Sequence, residues 1–203
     1  MDTVLIAEEN RITRGKVAIP LLWLSIVAMA MIFASLTSAY IVSWGKGGWL
    51  HFELPRLFYV STAIIITSSV TMNWTLASAR KNDFKNVKIA ALLTLLLGAA
   101  FVVCQFKAWG QLVDQQVFFT GKNSNVSGSY LYTLTGLHIA HLAFGMMALI
   151  VVLIKSLGQK YNSENMLGVR LCAIFWHFLD ILWIYFFLFL LFVRLNFNEI
   201  LLI

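Results

Sequence analysis

The chain has 203 residues, of which 60% are hydrophobic and only 12% charged, with a formal net charge of +6. Soluble domains average about 25% charged residues, so this composition excludes one and points to an integral membrane protein. The basic residues lie in short segments between apolar runs, which argues against a nucleic-acid partner.

The first 16 residues hold Asp2, Glu8, Glu9, Arg11, Arg14 and Lys16 and read as a cytoplasmic tail. The apolar run that follows is far longer than the roughly 7–15 residues of a signal-peptide core, so no cleavable leader is expected. Runs free of Asp, Glu, Lys and Arg predict five transmembrane helices, at about 17–44, 57–79, 89–106, 130–154 and 171–193. Each approaches or exceeds the ~20 residues a bilayer requires. Pro20 is expected near the start of the first helix, where proline is tolerated. The third run is the shortest and is expected to continue past Lys107 by snorkelling of that side chain. Residues 195–203 form a short tail. These runs are too long for barrel strands, so the predicted fold is all-α: one five-helix membrane bundle over 17–194.

Five spans put the termini on opposite sides. Arg11, Arg14, Lys16, Arg80, Lys81, Lys85, Lys88, Lys155, Lys160 and Arg170 fall on the side of the amino terminus. Only Lys46, Arg56, Lys107, Lys122 and Arg194 fall on the other. The positive-inside rule then places the amino terminus in the cytoplasm and the carboxyl terminus outside. The outer loops include "GKGGWLHFELP", which carries His51, and "GKNSNVSGS". Neither is long enough to be a catalytic domain.

Few ionisable residues lie inside the spans. His138 and His141 are three apart in the fourth, and His177 and Asp180 are three apart in the fifth. An acid at the centre of a membrane helix costs roughly 2.5–3.5 kcal/mol on insertion scales, so it requires a compensating partner. These four residues suit haem ligation, a metal site, a proton relay or a structural hydrogen-bonded network. The network is the commonest use of such groups, and bonds of this kind contribute about 0.6–2 kcal/mol each. His177 and Asp180 are expected to pair with each other or with His138 and His141. "TSSVTMNWT" in the second span reads as a small, polar packing face, and Gly98, Gly136 and Gly145 as points of close helix approach. Trp23, Trp44, Trp49, Trp109, Trp176 and Tyr130 read as interfacial anchors, whereas Trp183 must pack or bond more deeply. Cys104 and Cys172 stand alone and indicate neither a zinc site nor a disulfide framework. No nucleotide-binding, nucleophile-elbow or zinc-protease motif is present, so no chemistry is expected from this chain by itself.

The segments "TGLHIAHLAFG" and "FWHFLDILWIYFF" together resemble subunit III of the haem–copper respiratory oxidases. That family pairs an H-x-x-H helix containing a following glycine with a W-H-F-x-D-x-x-W helix. The matching positions are His138, His141, Gly145, Trp176, His177, Phe178, Asp180 and Trp183. Weaker similarity covers nearly all the chain, and five spans match the short form of the family. The resemblance implies an accessory subunit with no haem or copper of its own. These cofactors are expected in partner subunits, with bound phospholipid in this one. It implies contact with subunit I above all, then subunit II, a small subunit IV and a larger respiratory assembly. The expected location is the bacterial inner membrane. Two carboxylates common in the family are absent: Met29 and Ala108 occupy their positions. The main alternative is an independent proton-coupled transporter using His138, His141, His177 and Asp180. An autonomous membrane cytochrome is a third reading.

Overall fold

The computed structural model describes residues 2–44, 55–121, 125–158 and 166–200, with side chains described over 15–43, 55–121, 125–158 and 166–193. Among these residues the fold is all-helical: α1 Asp2–Trp44, α2 Arg56–Arg80, α3 Phe84–Asp114, α4 Val126–Leu157 and α5 Leu167–Ile200. All five are long and apolar enough to cross a membrane. His51, Trp49 and most of the first outer loop lie outside the described residues, as does the side chain of Trp44.

The helices are longer than the charge-free runs, because a helix tolerates charged residues once its ends leave the hydrocarbon. α3 continues through Lys107 to Asp114, in the direction expected. α1 is helical from Asp2, so Pro20 sits well inside it and not in its first turn. There its ring removes the N–H that would otherwise bond to the carbonyl of Lys16.

α2 packs on α3 and α5, α3 on α2 and α4, and α4 on α3 and α5. These four helices therefore close into a ring. Among the described residues α1 touches only α4 and α5 and lies outside the ring in the groove between them.

Local chemistry explains the tightest joint. α2 ends with Asn82 in the left-handed region, at φ 57°. The Asp83 N–H then donates to Ser78 O at 3.0 Å and the Asn82 N–H to Ala79 O at 3.2 Å. This is a Schellman closure, with asparagine in place of the usual glycine. Asp83 immediately caps α3, its carboxylate accepting from the Asn86 N–H at 3.1 Å. α3 closes the same way at Gln116, with the Val117 N–H donating to Leu112 O at 2.9 Å.

Candidate functional site

The middle of the ring is filled from α5. Trp176 and Trp183 are two turns apart, so they share a face, and both are fully buried. Each ring crosses towards α3 while its indole N–H reaches α2. Trp176 Nε1 donates to Ser68 Oγ at 3.0 Å, and Trp183 Nε1 donates to Thr62 Oγ1 at 3.1 Å. Trp176 faces Gly98 of α3 so closely that a Cβ there would lie 2.9 Å from Cη2 of the indole. Trp183 packs edge-on against Phe101 at 4.9 Å and Phe58 at 5.7 Å. The placement of Trp176 corrects its reading as an interfacial anchor: it is a core residue whose polar edge is satisfied by a serine of α2. Trp183 both packs and bonds.

The four ionisable residues do not converge. His138 is buried between Trp183, with ring centroids 5.2 Å apart, and Phe101, at 5.8 Å. Among the described residues neither of its nitrogens has a hydrogen-bond partner. His141, one helical turn on, faces α1: its ring lies 5.9 Å from that of Phe33. Its Nδ1–H donates to Leu137 O at 2.7 Å, because a carbonyl can only accept. His177 turns to α2, with Nδ1 2.7 Å from Ser69 Oγ and Nε2 3.1 Å from Asn73 Oδ1. Since Oδ1 accepts, Nε2 carries the proton and Nδ1 of the neutral ring accepts from the serine hydroxyl. Asp180 is buried beside it, its carboxylate 3.9 Å from His177 Nδ1 and close to the Ser69 hydroxyl. That hydroxyl is spent on His177, and neither carboxylate oxygen has a well-formed hydrogen bond among the described residues. The expected bonding of His177 and Asp180 to His138 and His141 is therefore not formed. The histidine bonds to α2 instead, because its face of α5 is turned towards α2.

Other motif positions serve packing. A Cβ at Gly145 would sit 3.1 Å from Leu179 Cδ1, so α4 and α5 approach closely there, whereas at Gly136 the nearest atoms are 3.9 Å away, an ordinary contact. Phe178 is half-buried against the core. Ser68, Ser69 and Thr71 of α2 face neighbouring helices as the sequence suggests, with Thr71 Oγ1 2.8 Å from Thr94 Oγ1 of α3, whereas Thr67 is exposed and bonds within its own helix. Sequence reasoning missed several interhelical bonds, among them Gln105 Nε2 to Ser61 Oγ at 3.0 Å, Trp109 Nε1 to Thr135 Oγ1 at 3.0 Å, and Thr37 Oγ1 to Tyr185 OH at 3.0 Å. Gln105 was visible as a carboxamide inside an otherwise uncharged span. Thr37 carried no signal, since a threonine can bond its own helix, as this one also does.

Between α1, α4 and α5 lies a groove of about 560 Å³, lined by Leu22, Met29, His141, Lys155, Cys172 and Phe175 among others. Met29 thus faces this groove, while Ala108 is in the core of the ring. Among the described residues no three His, Cys, Asp or Glu side chains come together as a metal site.

The family model for cytochrome c oxidase subunit III matches residues 21–194. The chain is 28% identical to cytochrome c oxidase subunit 3 of Bacillus sp. (strain PS3), over 89% of this chain and 87% of that protein. It is 32% identical to cytochrome c oxidase subunit 3 of Corynebacterium diphtheriae, over 81% of this chain and 82% of the other. It is also 32% identical to the cytochrome bo(3) ubiquinol oxidase subunit 3 of Pseudomonas aeruginosa, over 80% and 78%. The match runs through all five helices and both motif segments, and this chain belongs to the cytochrome c oxidase subunit III family.

Proposed function

We propose that this chain is the non-catalytic third subunit of a terminal haem–copper oxidase, the complex that reduces oxygen to water in aerobic respiration. It carries no haem or copper and sits in the bacterial cytoplasmic membrane with its amino terminus inside. Subunit I is its main neighbour, with subunit II, a small subunit IV and a larger respiratory assembly around it. The observation that carries this reading is the use made of the polar side chains. The motif tryptophans and His177 are consumed in contacts between α5 and α2, and the four ionisable residues line no common path. A rigid membrane scaffold fits that arrangement better than a relay, which needs its groups in sequence around a midplane site.

The groove beside α1 supports bound phospholipid. Lys155 stands at its cytoplasmic end and His141 at its deep end, about 21 Å apart along α4, which suits an acyl chain beneath an anionic headgroup. Lys155→Glu is expected to strip this lipid, read as loss of the lipid-bound species in native mass spectrometry, with faster loss of activity during sustained turnover.

Purification through a tag on this chain in mild detergent tests the main proposal. A catalytic subunit in near-equal amount, with a haem spectrum that disappears when this chain is separated from it, is the expected result. A lone protein, or haem that stays with the isolated chain, overturns it.

A further inference from the structure

α2 is the least apolar of the five spans, and its polar residues do not all face the ring. Asn73 is exposed on its outer side, and the His177 side chain beside it on α5 retains 28% of its accessibility. Oδ1 of Asn73 accepts from His177 Nε2, and the amide NH₂ makes no bond among the described residues. Depth makes this costly. Arg56 and Arg80 bracket α2 and are about 36 Å apart along its axis, slightly more than the ~30 Å hydrocarbon thickness. Asn73 is about 10 Å from the Arg80 end, and so about 7 Å inside a hydrocarbon layer centred on α2. An amide there has no water to bond, and lipid chains offer no acceptor. On the same outer surface Ile66, Val70, Trp74 and Ile181 are 48%, 64%, 42% and 66% exposed, an apolar stretch that runs from the carboxamide away from the Arg80 end.

We infer that the outer face of α2 and α5 around Asn73 and His177 is a docking surface for a transmembrane helix of another polypeptide. That helix presents a hydrogen-bond acceptor, either a side-chain oxygen or a freed backbone carbonyl, at the depth of Asn73. This rests on the accessory-subunit reading and adds to it the face through which the chain is held. His177 is then a positioning residue: Ser69 fixes its ring, and its Nε2–H holds the carboxamide so that the NH₂ points outward.

The test uses the assembled oxidase in native membranes, with a photo-crosslinking amino acid at Val70, one turn from Asn73 on the same face. The same residue at Leu96, an exposed position on α3, gives the comparison. Crosslinks from position 70 to a transmembrane helix of a co-purifying subunit, with lipid adducts at 96, are expected. Ile66 supplies the same readout should the variant at 70 not assemble. Lipid adducts alone from both 70 and 66, in a complex that still contains the oxidase, overturn the docking surface and leave the accessory reading intact. Absence of any oxidase subunit removes the accessory reading itself. Asn73→Leu adds a readout of opposite sign for the two environments. On a protein face it lowers the recovered oxidase several-fold; an unchanged or raised yield, as expected for a polar group removed from lipid, overturns the inference.

Discussion

Gly98 and Gly145 show how differently two glycines can be constrained. A methyl at Gly98 would meet the end of a fully buried indole that is tied to Ser68. Gly98→Ala should therefore cost about 1–3 kcal/mol by overpacking, seen as a lower thermal midpoint of the purified complex. A methyl at Gly145 meets the tip of a leucine, which can turn aside, so Gly145→Ala should cost less in the same assay. Ser68→Ala leaves the Trp176 N–H unpaired in a buried site and should cost about 1 kcal/mol. Thr67→Ala, next to it but exposed and bonded only to its own helix, should be close to neutral. Asp180 poses a separate problem, because its oxygens are unbonded. Removing the acid while keeping its volume separates charge from packing. Asp180→Asn should assemble to the wild-type level, and Asp180→Ala, which leaves a void against α2, should lower the haem content of purified membranes.

At the level of helices, α5 and α1 are opposites. In α5, 44% of the apolar span is buried, and it supplies the core of the ring; in α1 the share is 17%. The contacts that hold α1 include Thr37 to Tyr185, Ser43 to Tyr130 at 3.3 Å, the Tyr40 ring against Phe189 at 5.4 Å and the Phe33 ring against His141 at 5.9 Å. Tyr185→Phe removes the first of these. It should increase labelling of cysteines introduced along the α4-facing side of α1 while leaving the α2–α5 ring unchanged. The importance of α5 was legible in its sequence, because an acid, a histidine and two tryptophans in one span demand partners. The identity of the partners was not. His177 and Asp180 are expected to pair with each other or with His138 and His141; they stand 3.9 Å apart, and His177 bonds to Ser69 and Asn73, residues with nothing to separate them in the sequence from the other small polar side chains of α2.

For the whole molecule, the presence of five helices long and apolar enough to cross a membrane followed from charge-free length alone. The order of helices around the ring did not. In water, an apolar stripe on a helix marks its buried face. In lipid both faces are apolar, and the stripe disappears. Met31 and Ile181 are 68% and 66% exposed, while Met72 and Ile65 are almost wholly buried, and composition does not distinguish them. What distinguishes the inner face is steric and polar: glycines opposite indoles, and hydroxyls opposite N–H groups. These are pairwise features, and a single chain read linearly shows only one member of each pair at a time.

The joint between α2 and α3 has a consequence for how the protein is made. Only Lys81, Asn82 and Asp83 separate the two helices, and their backbone groups are satisfied by the Schellman closure and the aspartate cap. Such a connection cannot be left half-threaded, because one arm drags the other with it. The two segments are therefore built to enter the membrane together, as a hairpin with most of its interhelical contacts already available. Arg80, Lys81, Lys85 and Lys88 cluster at its turn, so the charge of the hairpin is gathered at one end. The groove that holds α1 is made by α4 and α5, so the first helix of the chain takes its place against the last two.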